Sequence, residues 1–134
     1  MSTAENPLVH WNLTGSESRI RRILEVAPFQ SLPDVDHDGL QAYYQTLLKR
    51  MSFPFEAEQI ELVGPERNVT VLRLVDPAWQ VSDLDSGLLC EAQQGDQIVR
   101  VPLAELKVDP GHRNYQLIED YWYWFWNWRK WPAD

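Results

Sequence analysis

The sequence predicts an α+β fold: a small β-barrel of four or five short antiparallel strands with flanking N-terminal and C-terminal helices. Three observations predict it. Apolar residues recur at three- and four-residue spacing within residues 16–27, 38–51 and 114–131, the period of a helix face. Between the last two of these, residues 53–109 switch to β-branched and apolar runs cut by Gly and Pro, the composition of short strands. The length of 134 residues, 44% of them apolar, suits a single domain with its own core.

Residues 1–16, rich in Ser, Thr, Asn and Gly, read as a loose leader. The first helix spans 16–27, with Ser16 or Ser18 as its cap and Ile20, Ile23, Leu24 and Ala27 on one face. Arg19, Arg21 and Arg22 stand early in it, where the helix dipole disfavours cations, so packing must hold it. Pro28 and Pro33 break the chain. Asp38 is the expected N-cap of the second helix, whose Leu40, Tyr43, Tyr44, Leu47, Leu48 and Met51 fall on one face. Pro54 stops it, and Phe53 to Leu62 is mixed. Asn68 to Val75 is a strand apolar on both sides, which predicts burial of both faces. Gly87 to Gln93 and Gln97 to Leu103 form a hairpin across Gln94-Gly95-Asp96. A 3₁₀ turn at Pro102–Leu106 and a short strand at Lys107-Val108 follow. Asn114 to Trp131 reads as the last helix, because Glu119-Asp120 precede Arg129-Lys130 in the order that the dipole favours. Its alternating Trp122, Trp124, Trp126 and Trp128 leave a strand as the alternative. Strand, strand, hairpin, 3₁₀ turn, short strand is the element order of SH3-like barrels.

Charge narrows the function classes. Twenty acidic against twelve basic residues give a net charge of −8. That argues against nucleic acid and anionic membrane surfaces, which need a basic footprint. No apolar run is long enough to span a bilayer, and residues 1–5 show no signal peptide, so a cytoplasmic protein is expected. A single cysteine, Cys90, excludes an internal disulfide framework and a Cys-rich zinc site; in mid-strand it reads as a small core residue. The scattered His10, His37 and His112 and the absence of a Gly-rich phosphate loop give no catalytic constellation, so no enzyme is expected.

Two stretches carry a resemblance. Tyr43-Tyr44 is followed by Phe53-Pro54-Phe55-Glu56-Ala57. Val101-Pro102-Leu103-Ala104-Glu105-Leu106 is followed by Glu119-Asp120-Tyr121-Trp122-Tyr123-Trp124. Over roughly residues 40–126 the chain resembles the small cyanobacterial-type calcium-binding proteins, the CcbP-like family. The resemblance implies an acidic cytosolic Ca²⁺-binding protein with a small β-rich body. Where those relatives are acidic, this chain has Leu48-Lys49-Arg50 and Gly111-His112-Arg113.

Ca²⁺ takes six to eight oxygen ligands, so carboxylate clusters are the feature to seek. Asp34, Asp36 and Asp38, followed by Gly39, have the spacing of the first half of an EF-hand loop, but Gln45 stands where the bidentate Glu belongs. A solvated turn ending in a helix cap is the competing reading. The stretch 74–99 holds no Lys or Arg, and its Asp83 and Asp85 could present two carboxylates beside Gly87; an acidic edge that discourages aggregation is the plain alternative. Glu56, Glu58 and Glu61 form a weaker group. Seven tryptophans, five of them between Trp122 and Trp131, exceed what one helix face can bury. Trp122, Trp124 and Trp126 are therefore the candidate contact for a protein partner or a homodimer. The expected function is Ca²⁺ buffering or sensing through surface carboxylates; the alternative is an SH3-like interaction module with a Trp-rich surface and no metal.

Overall fold

The computed structural model describes residues 15–60, 67–77 and 86–129. The expected leader lies outside them, apart from Gly15 and Ser16. The fold is α+β, in the order α1 (Ser16–Leu24), α2 (His37–Arg50), β1 (Phe55–Gln59), β2 (Arg67–Leu74), β3 (Leu89–Gln94), β4 (Gln97–Pro102), a 3₁₀ turn (Leu103–Glu105), β5 (Leu106–Lys107) and α3 (Tyr115–Trp128). The strands form one antiparallel sheet in the order β4-β3-β2-β1-β5.

The helices depart from expectation mainly at their ends. Neither Ser16 nor Ser18 caps α1; Gly15 precedes it at φ 83, and the Ser16 hydroxyl instead donates to Asp120 Oδ1 at 2.5 Å. α1 also stops short of Ala27. Glu25 turns left-handed at φ 59, with Val26 N–H on Arg21 O at 2.9 Å and Glu25 N–H on Arg22 O at 3.4 Å, the bond pair of a Schellman turn. α2 is capped by Asp36, whose Oδ1 accepts from Gly39 N–H at 2.7 Å, while the expected cap Asp38 sits in the first helical turn. The last segment is a helix and not a strand.

Alternation sets the sheet's faces. In β1, Phe55, Ala57 and Gln59 are buried while Glu56 and Glu58 are exposed. β2 corrects the expectation of two buried faces. Its register shifts between Val71 and Arg73, a bulge that leaves Leu72 unpaired in the ladder. The bulge turns Leu74 to the core beside Val69 and Val71, and Arg73 to solvent, where it pairs with Glu91. The hairpin between β3 and β4 turns on Gly95 at φ 60, with Gln94 facing Gln97.

The expected element order is present, but the sheet is not closed. β4 and β5 lie at opposite edges, and no ladder joins them among the described residues. β5 is two residues long and, among the described residues, pairs only with Glu58 and Gln59. The turn between β4 and β5 is held by α3 instead: Trp122 Nε1–H donates to Leu103 O at 3.1 Å and Trp126 Nε1–H to Ala104 O at 2.9 Å. The core lies on one face of the sheet, filled by Leu40, Tyr43 and Leu47 of α2 and by Ile118, Tyr121, Trp122, Trp124 and Phe125 of α3. Aromatic rings join the two helices: Tyr43 stacks on Trp124 at 5.3 Å and meets Tyr121 edge-on.

Candidate metal centre

Asp34, Asp36 and Asp38 are exposed at the entry to α2. The backbone before them is fixed by α3, since Trp124 Nε1–H donates to Pro33 O at 2.9 Å and Val35 N–H to Trp128 O at 2.9 Å. With Val35 buried, the flanking Asp34 and Asp36 face outward. Asp36 is committed to its cap, and Asp38 rides on the helix. An EF-hand loop would curl all three inward over twelve residues; here the chain turns helical at His37. These carboxylates do not converge, and no three His, Cys, Asp or Glu side chains among the described residues form a metal-holding group. Asp83 and Asp85 lie outside the described residues. Of their neighbours in sequence, Asp76 and Asp96 are exposed and Glu91 is paired with Arg73.

Acidic residues do gather on the open face of the sheet. A cleft of about 340 Å³ is lined by Glu56, Ala57, Glu58, Asn68, Lys107, Val108 and Asp109. Pairing explains the gathering. Glu56 faces Thr70 and Glu58 faces Asn68 on β2, while Glu58 faces Lys107 on β5. Asp109 follows Lys107 by two residues, so it continues the same side of β5 toward Glu56. Glu56 Oε2 accepts from Thr70 Oγ1 at 2.8 Å. Three carboxylates, an amide carbonyl and a hydroxyl are the hard oxygen donors that Ca²⁺ takes, with no Cys or His among them. Lys107, which lines the same cleft and faces Glu58, offsets part of the repulsion among these carboxylates. The donor chemistry fits Ca²⁺, while the exposed Glu56, Glu58 and Asp109 form no metal-holding group as they stand. Sequence reading found Glu56 and Glu58 but missed Asp109, which only the β1–β5 register brings to them. Glu61, the third of that expected group, lies outside the described residues.

The aromatic candidates face inward. Trp122 and Trp124 are wholly buried and Trp126 is half-buried, each with its indole N–H on a backbone carbonyl. Trp122 and Trp124 thus offer a partner no surface. Their number reflects a helix enclosed from two sides: the 3₁₀ turn and β5 on one, α1 and α2 on the other. Arg129 lies over the rings of Phe125 and Trp126, at 4.9 and 5.1 Å. Cys90 is fully buried, and desolvation pushes its thiol up to about 12. No helix of the described residues is long and apolar enough to cross a membrane.

The two stretches that are basic here lie near one another. Asn114 clasps Ser52, accepting from its N–H at 3.0 Å and donating to its C=O at 2.9 Å, and Arg113 Nη1 donates to Ser52 Oγ at 3.2 Å. The end of α2 and the start of α3 are thereby tied together.

No curated protein and no solved structure matches the chain. A family model described as calcium binding matches residues 34–125, which run from Asp34 through α2 and the whole sheet to Phe125 of α3. That span covers more than half of the chain and contains the acidic cleft. The chain belongs to the CcbP calcium-binding family, and Ca²⁺ is its ligand.

Proposed function

We propose that this chain is a non-enzymatic Ca²⁺ buffer that binds the ion through surface carboxylates, with Glu56, Glu58 and Asp109 as the principal ligands. One observation carries the choice of site: these three line a single polar cleft together with Asn68. Buffering is favoured over sensing by the scaffold. The ligands stand on or next to β1, β2 and β5, neighbours in one hydrogen-bonded sheet, so binding moves side chains and leaves the elements in register. A sensor needs an element with two arrangements for the ion to bias. Asp34, Asp36 and Asp38 stay the second candidate, with Asp83 and Asp85 the third.

Variants separate the sites. Glu56→Gln, Glu58→Gln and Asp109→Asn together should weaken Ca²⁺ binding at least tenfold, about 1.4 kcal/mol or more, since each replaces a charged oxygen ligand by a neutral one. Asp36→Asn with Asp38→Asn should leave it within about twofold, a change of about 0.4 kcal/mol. The reverse result in calorimetric titration moves the site to the entry of α2.

A further inference from the structure

We propose that this chain has a second ligand site, a pocket between α1 and α2 that binds the phosphate dianion of a small phosphorylated molecule. Arg19, Arg22 and Ile23 of α1 and Thr46 and Arg50 of α2 line an open pocket of about 290 Å³. Three guanidinium groups thus meet in a chain that carries twenty acidic residues against twelve basic ones. Among the described residues, no carboxylate lines the pocket.

The arginines differ in their partners. Arg19 is held by Asp120, with Nε on Oδ2 at 2.6 Å and Nη2 on Oδ1 at 3.0 Å. That pair is electrically neutral and fixes the Arg19 guanidinium before any ligand arrives, which lowers the ordering cost of binding. Arg21 is likewise paired, with Glu17 at 3.2 Å. Neither Arg22 nor Arg50 has a carboxylate partner among the described residues, although acidic side chains outnumber basic ones. Among the described residues, two uncompensated positive charges are left at the pocket, matching the charge of a phosphate dianion.

Arg19 is held for folding by Asp120, whereas Arg22 and Arg50 have no such partner among the described residues. Arg19 and Arg22 stand one turn apart in a nine-residue helix, with Arg22 in its last turn. Arg50 closes on them from α2, adding like-charge repulsion across the helix pair. An anion converts that cost into binding energy. Guanidinium groups suit phosphate through paired N–H donors, Thr46 adds a hydroxyl donor, and Ile23 gives an ester group an apolar wall. The volume, near the lower end of ligand pockets, fits a phosphate with a small organic group.

The site shares no residue with the Ca²⁺ cleft, so it is tested with EDTA-stripped protein. Inorganic phosphate, glycerol 3-phosphate and acetate are titrated calorimetrically. The expected result is saturable binding of one phosphate or phosphate ester per chain, with acetate at least tenfold weaker. Tighter binding of the ester identifies an organic phosphate as the ligand; equal binding identifies the free ion. Arg22→Gln with Arg50→Gln should weaken phosphate at least tenfold, and the exposed Arg100→Gln should not. In wild-type protein, phosphate should shift backbone amide resonances within residues 19–23 and 46–50, a readout that needs no variant. No saturable phosphate binding overturns the proposal. So does unchanged affinity in the folded double variant, or a set of shifted amides elsewhere in the chain.

Discussion

Asp120 is a carboxylate that this acidic chain keeps inside, 2% exposed on α3. It accepts from Ser16 and from Arg19, so one residue ties the start of α1 to the aromatic helix. Glu17 repeats the tie one position on, accepting from Tyr123 Oη–H at 2.7 Å. Removing one partner of a buried pair leaves the other uncompensated, at about 3–5 kcal/mol. Arg19 retains 23% exposure of its side chain and recovers part of its hydration. Asp120→Ala should therefore cost about 2–3 kcal/mol in urea denaturation, and a loss under about 0.5 kcal/mol would show that the pair is not holding α1. The buried thiol and phenols set the alkaline limit. Burial pushes Cys90 from 9.0 to about 12. Burial first, and then the Glu17 acceptor, push Tyr123 from 10.0 to about 12. Tyr43 and Tyr121 are raised by burial as well. All four hold protons in the folded state that the unfolded chain releases first. Their stabilisation is complete below about pH 9 and is lost as pH rises toward about 12. The melting temperature should fall steadily above pH 9, and Cys90 should resist thiol reagents at pH 8 until the protein unfolds; prompt labelling in native protein would contradict this burial.

At the scale of elements, sequence gave types more readily than ends. All three helices follow from apolar spacing, and the β3–β4 hairpin follows from Gly95 in a two-residue turn. The ends were set by backbone geometry that composition does not show. Glu25 takes a left-handed turn usually given to Gly, and the cap of α2 falls to Asp36 because α3 holds Val35 and Pro33 from behind. The bulge at Leu72 was illegible for the same reason: it depends on how β2 pairs with β3. The candidate site divides similarly. Glu56 and Glu58 alternate visibly along one strand, but Asp109 joins them only through pairing of distant strands. The tryptophans misled because their number suggested exposure, whereas helices, turn and sheet enclose most of α3. Asp36 gives a clean test of the cap. Asp36→Ala should lower stability by about 1 kcal/mol while Asp36→Asn stays near wild type, because Asn caps as well as Asp. Equal loss in both would mean that charge, and not the Gly39 hydrogen bond, is what matters.

Across the whole molecule, the helices and core occupy one face of an open sheet and leave the other to polar side chains. The −8 charge is therefore divided by position. Glu56, Glu58 and Asp109 gather on the open face, while Arg19, Arg22 and Arg50 gather between α1 and α2. The family match begins at Asp34, so α1 stands outside it, docked by Asp120 and Tyr123. Calcium binding belongs to the matched unit, and we propose the exposed carboxylates on its sheet as its place. Titration of EDTA-stripped protein with Ca²⁺ tests this most directly. Saturable heat is expected, with a melting temperature that rises with Ca²⁺ concentration, as ligand binding to the folded state requires. Neither heat nor a melting shift at roughly 5 mM Ca²⁺, above the dissociation constants of even weak protein sites, would contradict it.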